Sequence, residues 1–128
     1  MRALLDTHTF LWWNNEPERL PARVRDLIIA EDSEVWFSAV TAWEIAIKHG
    51  KGQLDLPEPP EAYVRSRVSL DYFKPLSVDI GHAIRVASLP AHHNDPYDRL
   101  LVAQAQIEGL SILTSDPAIA RYDVEIIW

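Results

Sequence analysis

Apolar residues recur along this chain with more than one period, and the switches between periods mark an alternation of strands and helices. Residues 3–6, Ala-Leu-Leu-Asp, read as a short apolar strand. A helix follows over 8–14, carrying Phe10, Leu11, Trp12 and Trp13. Pro21 opens a second helix, whose Val24, Leu27 and Ile28 fall at helical spacing. The pattern then predicts a strand over 35–39 and helices over 41–49 and 62–70, with the rigid stretch Leu56-Pro57-Glu58-Pro59-Pro60 between the two helices. A strand over 73–78 contains Pro75, which has no N–H to give to a ladder, so this strand belongs at a sheet edge. Helices are predicted over 80–89 and 96–108, a strand over 111–113, a turn of helix over 117–120 and a last strand over 124–127.

Short apolar strands alternating with helices predict an α/β fold. Specifically, they imply a three-layer α/β/α sandwich on a mostly parallel sheet of about five strands with right-handed crossovers. No repeat, low-complexity tract or shift in composition marks a second unit, and 128 residues suit one domain over 1–128. The chain has no cysteine, which excludes disulfides, thiolate metal sites and cysteine nucleophiles. No run approaches the ~18 apolar residues of a membrane span, and no stretch resembles a signal peptide, so a cytoplasmic protein with no membrane partner is expected. The net charge of −7 argues against a nucleic-acid partner, unless several acids converge and hold divalent cations.

Sheets of this kind bind ligands beyond the carboxyl ends of their strands, which directs attention to the acids found there. Asp6 ends the first strand, and Asp116 lies just past Ser111-Ile112-Leu113-Thr114. Glu44 lies one helical turn past the strand over 35–39, and Asp98 sits in the first turn of the helix before the Asp116 strand. Taken singly, Asp6, Asp116 and the pair Asp95/Asp98 read as helix caps. Caps, however, have no reason to converge on one point. Glu44 is the one charge between Ala39 and Ile47, and two readings of it stand. It is either a surface i,i+4 partner of Lys48 or a carboxylate aimed into an acidic pocket.

Carboxylates with no thiolate and no well-spaced histidine pair suit Mg²⁺ or Mn²⁺ better than zinc. The adjacent His92 and His93 read as loop residues. A hydrated cation of this kind can activate water and neutralise charge on a phosphoryl group. Lys48, Lys51 and Arg99 are the nearby cations that could position phosphates, with Lys51 better read as a solvated helix end. Trp12, Trp13 and Trp43 read mainly as core aromatics.

At these same residues the sequence closely resembles the PIN-domain toxins of bacterial and archaeal toxin–antitoxin pairs, the VapC-like group. The matching stretches are LLDTHTFLWW at 4–13, SAVTAWEIAIKHGKGQL at 38–54, HHNDPYDRLLVAQA at 92–105 and ILTSD at 112–116. The resemblance covers essentially the whole chain. It implies a PIN-like fold, an acidic quartet at Asp6, Glu44, Asp98 and Asp116 as catalytic and metal-binding residues, and Mg²⁺- or Mn²⁺-dependent cleavage of RNA. It also implies a homodimer and a cognate antitoxin protein. Asp95, Arg99, Lys48 and Thr114 are the accessory candidates. Two other readings compete. One is a non-catalytic module whose acidic groove receives a basic partner. The other is a phosphotransfer enzyme with Asp6 as nucleophile, although phosphatases of that type want a second aspartate where this chain has His8.

Overall fold

The computed structural model describes residues 1–69 and 72–128. Its five strands are β1 (Arg2–Leu5), β2 (Glu34–Ser38), β3 (Phe73–Leu76), β4 (Ser111–Leu113) and β5 (Ile126–Ile127). They form one sheet in the order β3-β2-β1-β4-β5, and each neighbouring pair is parallel. The α-helices are α1 (Thr7–Asn15), α2 (Ala22–Ile29), α3 (Ala39–Gly50), α4 (Pro60–Ser69), α5 (Ile80–Arg85) and α6 (Pro96–Glu108). Among the described residues, no helix is long and apolar enough to cross a membrane.

Strand alternation divides the core into two layers. Ala3, Leu5, Val35, Phe37 and Leu113 pack on one face with Phe10, Val24, Ile28 and Tyr63. Leu4 and Ile112 point to the other face and pack with Leu101, Val102, Ala105, Ile119 and Tyr122. The central strands are therefore apolar on both sides, as a covered parallel sheet requires. α6 ends at Gly109, whose φ of 69° is left-handed and whose N–H caps Ala105 O. That stop turns the chain back into β4.

Pro75 does lie on an edge strand, since β3 is the last strand on its side of the sheet. Several boundaries differ from the sequence reading. Ser38 caps α3 by accepting from Val40 N–H, so this helix begins at Ala39 rather than at residue 41. The helix expected over 62–70 begins at Pro60, a residue suited to a first helical position, while its expected end at Leu70 lies outside the described residues. The helix expected over 80–89 divides into α5 and a 3₁₀ turn over Val86–Ser88. Leu89 then becomes extended, as a residue preceding proline must. The strand over 73–78 stops at Leu76, and the last strand is confined to Ile126–Ile127 because residues 122–124 form a turn. A short 3₁₀ turn over Pro17–Arg19 was not anticipated.

Phe10 anchors α1 to the sheet four residues after Asp6. It is fully buried, with its ring 4.6 Å from Phe37, 5.9 Å from Phe73 and 6.3 Å from Tyr63. Phe10→Ala should destabilise the fold by about 3–5 kcal/mol in urea unfolding. A loss under about 1 kcal/mol would show that the core does not close around this ring.

Candidate active site

The chain runs from β1 outward to β2 and β3, then crosses back to place β4 on the other side of β1. Strand order reverses there, and the crevice between the carboxyl ends of β1 and β4 is where such a sheet accepts a ligand. The register pairs Leu5 with Leu113, so the residues that leave the two strands emerge side by side. Asp6 N–H bonds Leu113 O at 3.3 Å. The Thr114 hydroxyl donates to Asp6 Oδ2, and its oxygen accepts from Asp116 N–H at 3.0 Å. One hydroxyl thus ties together the acids that follow β1 and β4. Asp6 Oδ1 accepts from Thr9 N–H at 2.7 Å, and Asp116 Oδ1 from Ala118 N–H at 2.8 Å. Both acids cap local backbone while standing in the crevice.

Glu44 does pair with Lys48, but the pair is buried on its carboxylate side rather than lying on the open surface. The Glu44 side chain is only 4% exposed, Oε1 accepts from the Thr7 hydroxyl at 2.6 Å, and Oε2 pairs with Lys48 Nζ at 2.5 Å. Glu44 and Lys48 line one cavity of about 320 Å³ together with Thr7, His8 and Trp12. The pair is therefore a wall of the pocket rather than a remote surface contact. Burial alone would lower the Lys48 pKa. Its hydrogen bond to Glu44, with attraction from Glu44, Asp95 and Asp98, outweighs burial and leaves it raised.

Asp98 lies in the first turn of α6, where Asp95 Oδ1 caps its N–H at 3.0 Å. Burial pushes the Asp98 carboxyl up to about 6, and the charges of Asp95, Asp116 and Glu44 push the same way, against a hydrogen bond from His93. Burial likewise raises the Asp6 carboxyl, with hydrogen bonds from Thr114 and Thr9 opposing it. Asp98 thus feels acids from α3, from its own cap and from the segment after β4. Thr114 links Asp116 to Asp6, and Thr7, which follows Asp6, donates to Glu44. Asp98 is thus within electrostatic reach of Glu44 and Asp116, and Asp116 is tied to Asp6.

The accessory candidates part company here. Lys48 and Thr114 stand at the acids, and Asp95 serves as the cap of α6. Arg99 is committed elsewhere, donating to Pro90 O at 2.8 Å, Tyr122 Oη at 3.0 Å and Val86 O at 3.3 Å. His93 and Tyr122 are additions the sequence reading missed. His93 bridges Asp98 and Tyr122, and its position in the HHNDPYD stretch was the one available signal. A separate group, Asp79, His82 and Glu108, holds its ligand atoms within 4.8 Å of one another. There His82 Nδ1 accepts Asp79 N–H to complete the capping box of α5, and Nε2 bonds Glu108 at 2.9 Å. Those ring nitrogens are already engaged in holding α5 to α6.

The chain belongs to the PIN-domain family, whose model matches residues 3–125. Among curated relatives, Ribonuclease VapC22 of Mycobacterium tuberculosis (strain ATCC 25618 / H37Rv) is 27% identical over 115 residues, covering 89% of this chain and 86% of that protein. Ribonuclease VapC16 of the same organism is 38% identical over 73 residues, 52% of each chain. Among solved structures, DNA-bound VapBC from Salmonella typhimurium aligns with TM-score 0.72 at 24% identity, covering 99% of this chain and 97% of that one. VapBC2 from Rickettsia felis bound to a promoter DNA fragment aligns with TM-score 0.73 at 12% identity, covering 99% and 98%. The fold is shared throughout.

The shift at Asp98 gives a signed pH dependence. Its folded pKa lies above the unfolded value near 3.9, so folding favours the neutral carboxyl relative to the unfolded chain. This contribution to stability is fully present below about pH 4 and is lost as pH rises through about 6. Melting curves in chelator should show Asp98→Asn gaining stability relative to wild type across that window, on the order of 1–2 kcal/mol. A constant difference between the two proteins would contradict the crowding of acids around Asp98.

Proposed function

We propose that this protein is a metal-dependent endoribonuclease that acts as the toxin of a toxin–antitoxin pair. One observation carries the reading, namely that Thr114 ties Asp6 to Asp116 where strand order reverses while Asp98 feels the charges of Asp116 and Glu44. Supporting it are the relatives named ribonucleases and the similarity of fold to VapBC proteins. The donors gathered there are carboxylate oxygens without thiolates, a set that fits a hard divalent cation such as Mg²⁺ or Mn²⁺. Asp6 and Asp116 are the first choices to hold it, with Asp98 and Glu44 completing the set. When bound, such a cation supplies a more acidic water and neutralises charge developing on a phosphodiester.

The chain's own residues account for the rest. Thr114 fixes Asp6 and Asp116 with respect to each other, and Thr7 holds Glu44 against the pocket wall. Lys48, 35% exposed in its side chain, can exchange Glu44 for a substrate phosphate once a cation takes over the carboxylate. With a net charge of −7, the protein repels RNA at long range, so productive binding depends on the local cations. The proposed assembly is a cytoplasmic homodimer, with an antitoxin placing a basic segment over the acids and sparing the host until it is removed.

Asp6→Asn and Asp116→Asn keep side-chain size and remove one charge each. Both should fold and lose RNA cleavage by 100-fold or more, roughly the scale of losing a transition-state electrostatic partner. Glu44→Gln should cleave far more slowly, and its melting temperature in chelator should fall somewhat because Lys48 loses its buried partner. Wild-type cleavage insensitive to chelator, or unchanged cleavage by Asp6→Asn, would overturn the reading. Expression of the wild type alone should arrest growth, and co-expression of the antitoxin should relieve it.

A further inference from the structure

We propose that His93 is a positioning residue for Asp98, locked in one tautomer by Tyr122 and Arg99 so that it holds Asp98 Oδ2 and leaves Oδ1 to the acid cluster. The inference rests on reading that cluster as a cation site. It starts from a group whose role in hydrogen bonding is fixed. A guanidinium can only donate, and Arg99 Nη1 lies 3.0 Å from Tyr122 Oη. The Tyr122 oxygen therefore accepts from Arg99, and its own proton is free to go to His93 Nδ1, 2.8 Å away. With Nδ1 accepting, the ring proton of neutral His93 sits on Nε2, facing Asp98 Oδ2 at 3.2 Å. The opposite tautomer would set a lone pair against an ionised carboxylate.

The parts of this chain come from separate segments and are held firmly. Arg99 is fixed by the carbonyls of Val86 and Pro90, on the segment that leads to His93. Tyr122 is buried and closes the 3₁₀ turn Ile119–Arg121, which follows Asp116. The His92 and His93 rings lie 4.8 Å and 5.4 Å from the Tyr122 ring. The same four side chains thus connect the loop before α6, the start of α6 and the segment after β4. Among the described residues Asp98 Oδ1 has no protein donor, whereas Oδ2 has His93. A ligating carboxylate oriented by an outer hydrogen bond binds its metal more tightly, and loss of such a partner typically weakens affinity about 10–100-fold.

A brace for the loop would affect folding alone, whereas a positioning residue changes the affinity of the site. Isothermal titration of the full chain with Mn²⁺ separates the two, with melting temperatures in chelator measured alongside. Wild type should bind, and His93→Ala should weaken Mn²⁺ binding about 10–100-fold. His93→Gln, which can return an N–H near the place of Nε2, should recover most of that loss. Tyr122→Phe keeps the buried ring and frees the tautomer, so it should weaken binding several-fold, and it carries the test should His93→Ala fail to fold. Mn²⁺ affinity of His93→Ala or Tyr122→Phe equal to wild type, with only the melting temperature lowered, would overturn the proposal and leave the cation site intact. His93→Gln no better than His93→Ala would also overturn it. A wild type that does not bind Mn²⁺ would overturn both the cation site and the role of His93.

Discussion

The molecule's chemistry depends on the pairing of β1 with β4. With Leu5 opposite Leu113, Asp6 and Thr114 leave the sheet as neighbours, and the Thr114 hydroxyl can reach both Asp6 and the backbone of Asp116. A slip of one residue would turn every side chain of β4 to the opposite face, taking Leu113 out of the first core layer and Thr114 away from Asp6. The register is protected because both faces of these strands are buried, with Leu4 and Ile112 locked in one layer and Leu5 and Leu113 in the other. Packing in the core thereby sets the relative position of two acids at its rim.

That placement works against electrostatics. Burial disfavours the ionised carboxylates of Asp6 and Asp98, and at Asp98 the charges of Asp95, Asp116 and Glu44 add to the cost. The fold disperses the conflict among local partners. Asp6 accepts a backbone N–H at the start of α1 and Asp116 one in the turn that follows it, Glu44 takes Thr7 and Lys48, and Asp98 takes His93. The remaining imbalance shows at Asp98, whose carboxyl stays well above the ordinary range. A cation in the crevice would answer it directly, which is why acids costly to the metal-free fold are a reason to look for function there.

Much of this was legible in the sequence. Periodicity identified the strands, because runs such as Ala3-Leu4-Leu5 and Ser111-Ile112-Leu113 are buried on both faces. Pro75 announced an edge through chemistry rather than pattern. Asp6, Asp98 and Asp116 could be named because they follow strands or open helices, and Glu44 because it is the one charge between Ala39 and Ile47. Boundaries were less legible where a side chain or a proline acts locally, as at Ser38 and at Leu89-Pro90. The role of Glu44 could not be resolved from spacing, since an i,i+4 partner does not say whether the pair faces solvent or a cavity. His93 and Tyr122 were missed for a related reason. Their significance lies in a contact between residues 29 apart, made only when the chain after β4 folds back over the start of α6.

The most direct test of a single cation site built from four distant acids is anomalous diffraction from crystals grown with Mn²⁺. The account predicts a manganese peak in the crevice between β1 and β4, within bonding distance (about 2.1 Å for a small hard divalent ion) of oxygens from Asp6 and Asp116, with Asp98 or Glu44 in direct or water-bridged contact. Manganese found at Asp79, His82 and Glu108 while the crevice between Asp6 and Asp116 stays empty would contradict it.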